Sequence, residues 1–220
     1  MRLSQRLAAL LQLVPYNCIL ADIGCDHAYL PCAFVLSGKG KRAYACDINP
    51  NPLKNAQKTI DECSLTGIVV PVLSDGLKEC PKDCNVVAIS GMGFETIKSI
   101  LEADLEFVKQ CQCLLIQSNS DVDLLRLWCS IHEFRILEER IVHEGHYYHI
   151  LKIAYEKGAF LSDDEIYFGV GERNALFYEY WNFRADKMRE ILNQLDAESE
   201  LAQQFNQRLK RIDVYLKNSR

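Results

Sequence analysis

Polar residues able to hold a nucleotide-like ligand recur in this chain just after each of its short apolar runs. Asp22-Ile23-Gly24 follows 18–21, Asp47-Ile48-Asn49 follows 43–46, and Ser74-Asp75-Gly76 follows 68–73. Ser90-Gly91-Met92-Gly93 and Ser118-Asn119 close two further runs. A carboxylate at such a place can accept from an amine or a hydroxyl, and glycine lets the backbone approach a ligand closely. Asp47 lies 25 residues after Asp22, near the usual ~20-residue interval to an acidic residue that accepts from ribose hydroxyls. Asp75 suits the exocyclic amine of adenine, and Gly76 leaves room for the ring. The second and third glycines of a dinucleotide fingerprint are absent, so no pyrophosphate cradle is offered. Keeping the acidic-glycine turn without that cradle points to S-adenosylmethionine rather than NAD or FAD. The cofactor candidates are therefore Asp22, Gly24, Asp47, Ile48, Asn49, Asp75, Gly76, Gly91 and Met92. A lone aspartate in such a turn often does no more than cap a helix. Four acidic or glycine-bearing turns in register favour a ligand crevice.

Positioning these residues requires parallel strands. From Cys18 to about Gln117 apolar runs alternate with helical patterns, the mark of βαβ units and a parallel sheet. Expected strands cover 18–21, 43–46, 68–73, 85–90 and 113–117, with helices over about 52–63, from Phe94, and over 121–131. In an open parallel sheet the carboxyl ends of the strands line one crevice, which is the ligand site by topology. The rhythm then breaks. Residues 134–142 and 146–155 read as a hairpin turning near Glu144-Gly145. Five β-α units closed by a hairpin form the α/β, Rossmann-like arrangement of class I methyltransferases. Ahead of the sheet, Leu3, Leu7, Leu10, Leu11 and Val14 keep helical spacing.

A methyltransferase domain over 1–157 is expected, followed by a helical hairpin or coiled coil over 158–220. In that tail Leu176, Tyr180, Phe183, Lys187 and Ile191 run at helical spacing, as do Leu201, Phe205, Leu209, Ile212 and Leu216. The net charge of −5 is unusual for a nucleic-acid partner. Its distribution is uneven, because residues 184–220 hold 8 basic and 6 acidic residues. Arg208, Lys210, Arg211, Lys217 and Arg220 face only Asp213 in the last thirteen positions. A solvated helix face explains that pattern as readily as RNA does.

Ten cysteines without a C-x-x-C pair, behind a start lacking a secretory h-region, are expected as reduced, mostly buried thiols in the cytoplasm. His143, His146 and His149 come nearest to a metal cluster. Alternation would put His146 and His149 on opposite faces of a strand, so no metal is expected. No apolar run approaches the ~18 residues of a membrane span.

Five segments carry a resemblance to a known family: Leu3-Ser4-x-Arg6-Leu7, Ala21-Asp22-Ile23-Gly24-x-Asp26-His27-Ala28-Tyr29-Leu30-Pro31, Asp75-Gly76-Leu77, Gly91-Met92-Gly93 and Gln117-x-Asn119. Together they resemble the bacterial tRNA (adenine-N1)-methyltransferases acting on adenine 22, the TrmK family. The chain differs from the family's usual pattern at Asp47 (commonly glutamate), at Phe94 (glycine) and at Ser118 (proline). The resemblance implies methyl transfer from S-adenosylmethionine to N1 of adenine 22 in tRNA. Asp26, His27, Tyr29, Met92 and Asn119 border the crevice as candidates for the chemistry, and Tyr29 or Phe94 could stack on an extruded base. Asn-Pro-Pro-Tyr is absent after the fourth strand, which argues against methylation of an exocyclic amine. Two other readings fit the same crevice: a small-molecule class I methyltransferase, and a catalytically silent RNA-binding protein. No motif encodes the oligomeric state; a monomer is the expectation.

Overall fold

The computed structural model describes residues 1–218 of the 220, so Arg220 lies outside the described residues. The chain falls into two compact units, Met1–Gly171 and Glu172–Arg220. The segment 158–171 is thus part of the first.

The first unit opens with helix α1 (Gln5–Leu13), whose N-cap Ser4 accepts from the Leu7 N–H. Strands β1 (Ile19–Ile23), β2 (Arg42–Asp47), β3 (Val69–Leu73), β4 (Val86–Met92) and β5 (Cys113–Ser118) follow, then the hairpin β6 (Phe134–Glu144) and β7 (His146–Tyr155). They form one sheet in the order β3-β2-β1-β4-β5-β7-β6. The strands β1 to β5 pair parallel, while β7 inserts antiparallel between β5 and β6. This is the class I methyltransferase sheet expected from the sequence. Gly145, at φ +73°, turns the hairpin where Glu144-Gly145 predicted it.

Helices α2 (Tyr29–Leu36), α3 (Pro50–Glu62), α4 (Phe94–Ala103), α5 (Leu105–Gln110) and α6 (Val122–Ile131) connect the strands. Because side chains alternate along a strand, each central strand feeds two cores. Val87 and Ile89 pack with Ile97, Leu101 and Trp128 on one face. Val86 and Ala88 pack with Leu10, Phe34 and Ile60 on the other. All ten cysteines are free thiols, and all but the half-buried Cys63 are buried as small hydrophobes.

A short helix α7 (Asp163–Phe168), started by a Ser162/Glu165 capping box, closes the first unit. Beneath it Arg126, fully buried, donates to the Ile166 and Tyr167 carbonyls at 3.0 and 3.2 Å. Arg126 also donates to Glu139 from Nε at 3.1 Å and from Nη2 at 2.5 Å. Glu139 further accepts the Val170 N–H at 2.9 Å and lies 3.3 Å from His149 Nδ1. The histidine triplet is accordingly divided: His149 belongs to this buried cluster, His143 stacks on Tyr147, and His146 is exposed.

The second unit is the helix pair α8 (Ala175–Leu192) and α9 (Glu200–Asn218). Arg173 donates to the Tyr215 hydroxyl at 2.8 Å and Arg189 to Asp213 at 2.8 Å. The helices stand where the sequence put them, but the apolar stripe of α8 is rotated. In α8 the buried residues are Phe177, Tyr180, Trp181, Ala185 and Met188, while Phe183 and Ile191 are exposed. In α9 the expected Ile212 and Leu216 are buried, and the stripe departs at its start, where Ala202 is buried and Leu201 exposed. Aromatic residues at consecutive positions gave two overlapping 3.6-residue series, and spacing alone does not rank them.

Candidate active site

A cavity of about 630 Å³ opens at the carboxyl ends of β1 to β4. It is lined by eight of the nine predicted cofactor residues: Gly24, Asp47, Ile48, Asn49, Asp75, Gly76, Gly91 and Met92. The ninth, Asp22, lies in β1 immediately before the lining residues Ile23 and Gly24. Helix α4 supplies wall residues the sequence reading did not single out: Glu95, Thr96, Ser99 and Ile100. Their signal was only the Gly-Met-Gly turn that starts the helix at the crevice.

Local backbone explains the shape of the site. Gly24 sits at φ +76°, and a Cβ there would lie 2.2 Å from Met92 Cε. A side chain at this position would be both strained and in collision with the facing wall. Gly76 has φ +61°, and its added Cβ would come within 3.2 Å of Ile100. Gly91 forms a bulge where β4 and β5 slip register between Ser90 and Met92. Its N–H points instead to the side chain of Gln117, donating to Oε1 at 3.0 Å.

The acidic groups are unlike one another. Asp22 is 5% exposed, and no described residue donates a hydrogen bond to its carboxylate. Burial pushes its carboxyl up to about 7, with nearby Arg6 opposing and Asp47 reinforcing the shift. Asp47 Oδ1 accepts the Asn49 N–H at 2.9 Å, which braces the loop after β2. Asp75 is paired with Lys78, and its N–H donates to Glu79 at 3.0 Å.

Of the five residues predicted for the chemistry, Met92 lines the cavity and the other four do not. Asp26, His27 and Tyr29 continue the loop beyond Gly24, with Asp26 and Ala28 both at positive φ. His27 stacks on Tyr29 at 5.2 Å, and Tyr29 is 42% exposed. Asn119 adjoins the wall, its N–H donating to the Met92 carbonyl at 2.8 Å. Phe94, expected as a possible stacking surface, is 7% exposed and packs in the core, so it offers no face to a base.

A network missed at the sequence level ties this rim to distant elements. Arg6 in α1 donates to Gln117 Oε1 at 2.8 Å, and Gln117 Nε2 donates to Asn119 Oδ1 at 2.9 Å. Glu144, at the end of β6, accepts the Gln5 and Arg6 N–H groups at 3.1 and 3.3 Å and fixes the start of α1. Among the described residues no group of three or more His, Cys, Asp or Glu could hold a metal ion. Nor is any described helix long and apolar enough to cross a membrane.

The family model for tRNA (adenine(22)-N(1))-methyltransferase, TrmK, matches residues 20–217. The chain belongs to the TrmK family. The tRNA (adenine(22)-N(1))-methyltransferase of Bacillus subtilis is 30% identical over 223 residues, spanning 96% of this chain and 93% of that protein. The solved structure of M. capricolum TrmK in complex with S-adenosyl-homocysteine aligns at a TM-score of 0.86 and 33% identity, over 99% of both chains. Streptococcus pneumoniae Sp1610 in complex with S-adenosyl-L-methionine aligns at 0.87 and 30%, over 96% of this chain and 99% of that one. TrmK proteins are S-adenosylmethionine-dependent, and the residues here fit that cofactor. A buried carboxylate with no protein donor suits an ammonium group. The glycine-walled cavity beside it has the volume of a small-molecule site.

Proposed function

We propose that this TrmK-family protein transfers a methyl group from S-adenosylmethionine to N1 of adenine 22 in tRNA. The observation carrying this reading is the placement of eight predicted cofactor residues around one cavity, with the undonated Asp22 carboxylate beside it. Asp22 accepts from the cofactor's ammonium, Asp47 from its ribose hydroxyls, and Asp75 with Gly76 accommodates its adenine. When bound, the cofactor supplies an electrophilic methyl group on sulfonium sulfur.

The protein's remaining task is to hold an extruded adenine with its N1 lone pair facing the cavity mouth. N1 is already nucleophilic at neutral pH, so in-line positioning supplies much of the acceleration. Positive charge develops on the adenine as the bond forms. Carboxylate or amide oxygens accepting from its N6 amine stabilise that charge, the role we give to Asp26 and Asn119. Tyr29, half exposed in a stack with His27, offers a face for the base. In α9, Arg208, Lys210 and Lys217 are exposed without an ion pair among the described residues, which suits phosphate contacts. A tRNA substrate places the enzyme in the cytoplasm.

Labelled methyl transfer onto unmodified tRNA, followed by nucleoside analysis, tests this reading. The expected product is 1-methyladenosine at position 22. Tight cofactor binding with no label in tRNA would overturn it, leaving the small-molecule methyltransferase and the silent RNA-binding protein.

A further inference from the structure

The amide of Gln117 has only one orientation compatible with its neighbours. Arg6 and the Gly91 N–H are donors with no acceptor, so both require the carbonyl oxygen of Gln117, at 2.8 and 3.0 Å. The NH2 of Gln117 must then face Asn119, which can meet it only with Oδ1, at 2.9 Å. Donor chemistry thus fixes both amide orientations. Gln117 is fully buried and held at both ends, whereas Asn119 is exposed at the rim. The outcome is an asparagine whose two N–H donors and one remaining carbonyl lone pair are free among the described residues, fixed beside Met92 of the cavity wall.

An enzyme that methylates N1 must leave the Watson–Crick edge of adenine open to the methyl group. The edge still available for holding the base carries N6–H, a donor, and N7, an acceptor. An asparagine amide matches that pair with two hydrogen bonds, its oxygen to N6–H and its nitrogen to N7. We infer that Asn119 reads the N6/N7 edge of the target adenine, and that Gln117, locked by Arg6 and the Gly91 bulge, is the positioning residue that sets its amide. This rests on the adenine substrate proposed above and adds how the base is recognised.

Kinetics with two synthetic tRNAs test it in the full chain, one carrying adenine and the other 7-deazaadenine at position 22. The unaltered enzyme should show kcat/KM about tenfold lower for the 7-deaza tRNA, the scale of losing one arm of a bidentate base contact. Gln117→Glu keeps acceptors for Arg6 and Gly91 but presents no donor to Asn119, so the Asn119 amide must reverse. That variant should methylate both tRNAs slowly and within about twofold of each other, with cofactor affinity changed less than about threefold. Asn119→Ala, at an exposed position, should equalise the two tRNAs in the same way and stands in if Gln117→Glu does not fold. Full discrimination retained in either variant, or none in the unaltered enzyme, would overturn the inference. Failure of the unaltered enzyme to methylate either tRNA would instead overturn the substrate assignment, and this inference with it.

Discussion

Asp22 and Glu139 are both carboxylates held out of water, one beside the cofactor cavity and one beneath α7, yet they sit in opposite states. Glu139 has its partners built in: Arg126, His149 and the Val170 N–H surround it, and its carboxyl is held down to about 2 despite burial. Asp22 has none among the described residues, and its carboxyl rises to about 7. The difference separates two uses of a buried charge. A satisfied one fastens elements together, while an unsatisfied one is completed by something that binds.

Removing Arg126 should have the largest effect. Arg126→Met leaves Glu139 buried without its main counter-charge and releases the carbonyls at the end of α7. Breaking a buried pair from one side typically costs about 3–5 kcal/mol, which denaturant titration would measure. A loss below about 1 kcal/mol would show that the cluster is not what fastens α7 to the sheet.

Asp22→Asn should do the reverse. Cofactor affinity should fall by about ten- to a hundredfold, on the scale of about 1.5–3 kcal/mol for a charge-assisted hydrogen bond. Stability at pH 8 should be unchanged or higher, because a carboxyl whose folded value is raised disfavours the folded state once it ionises. Calorimetric titration and thermal melts check the two halves separately. A variant that binds the cofactor normally would remove Asp22 from the binding site.

Changing pH alone gives the smallest and most specific contrast. In the role proposed for Asp22 its ionised form takes the cofactor, so affinity should level off above about pH 8 and fall roughly tenfold per unit below about 7. Binding at pH 6.5 should release a proton, seen as a buffer-dependent heat. Glu139 behaves oppositely: its folded value is depressed, so its stabilisation is present above about pH 4.5 and is lost as pH falls toward 2. Cofactor affinity flat from pH 6 to 8 would erase the distinction between the two carboxylates.

The legible part of the molecule is the part written in short stretches. Each cavity loop is a few contiguous residues following an apolar run, so Asp22-Ile23-Gly24 or Ser74-Asp75-Gly76 announces both strand end and cavity wall. Topology then assembles them without further information. Arg6 and Gln117 are 111 residues apart, and Arg6 and Glu144 are 138 apart. No local pattern links them, and Arg6 entered only as one letter of a family motif. The Arg126–Glu139 pair was equally hidden, since an arginine on a helix reads as solvent-facing until its burial is seen. The rotated stripe of α8 shows the converse difficulty, where abundant aromatic residues offer more than one face.

The bond from Glu144 to the first turn of α1 also bears on the order in which the enzyme takes shape during synthesis. The strands carrying the cofactor cavity have all been made by Ser118, but the anchor for the N-terminal helix has not. At a synthesis rate of about 5–20 residues per second, Arg6 leaves the ribosome roughly seven to twenty-eight seconds ahead of Glu144, which seats its helix. The chain that forms the cavity walls is therefore complete before the residue that anchors the helix of Arg6 has been made.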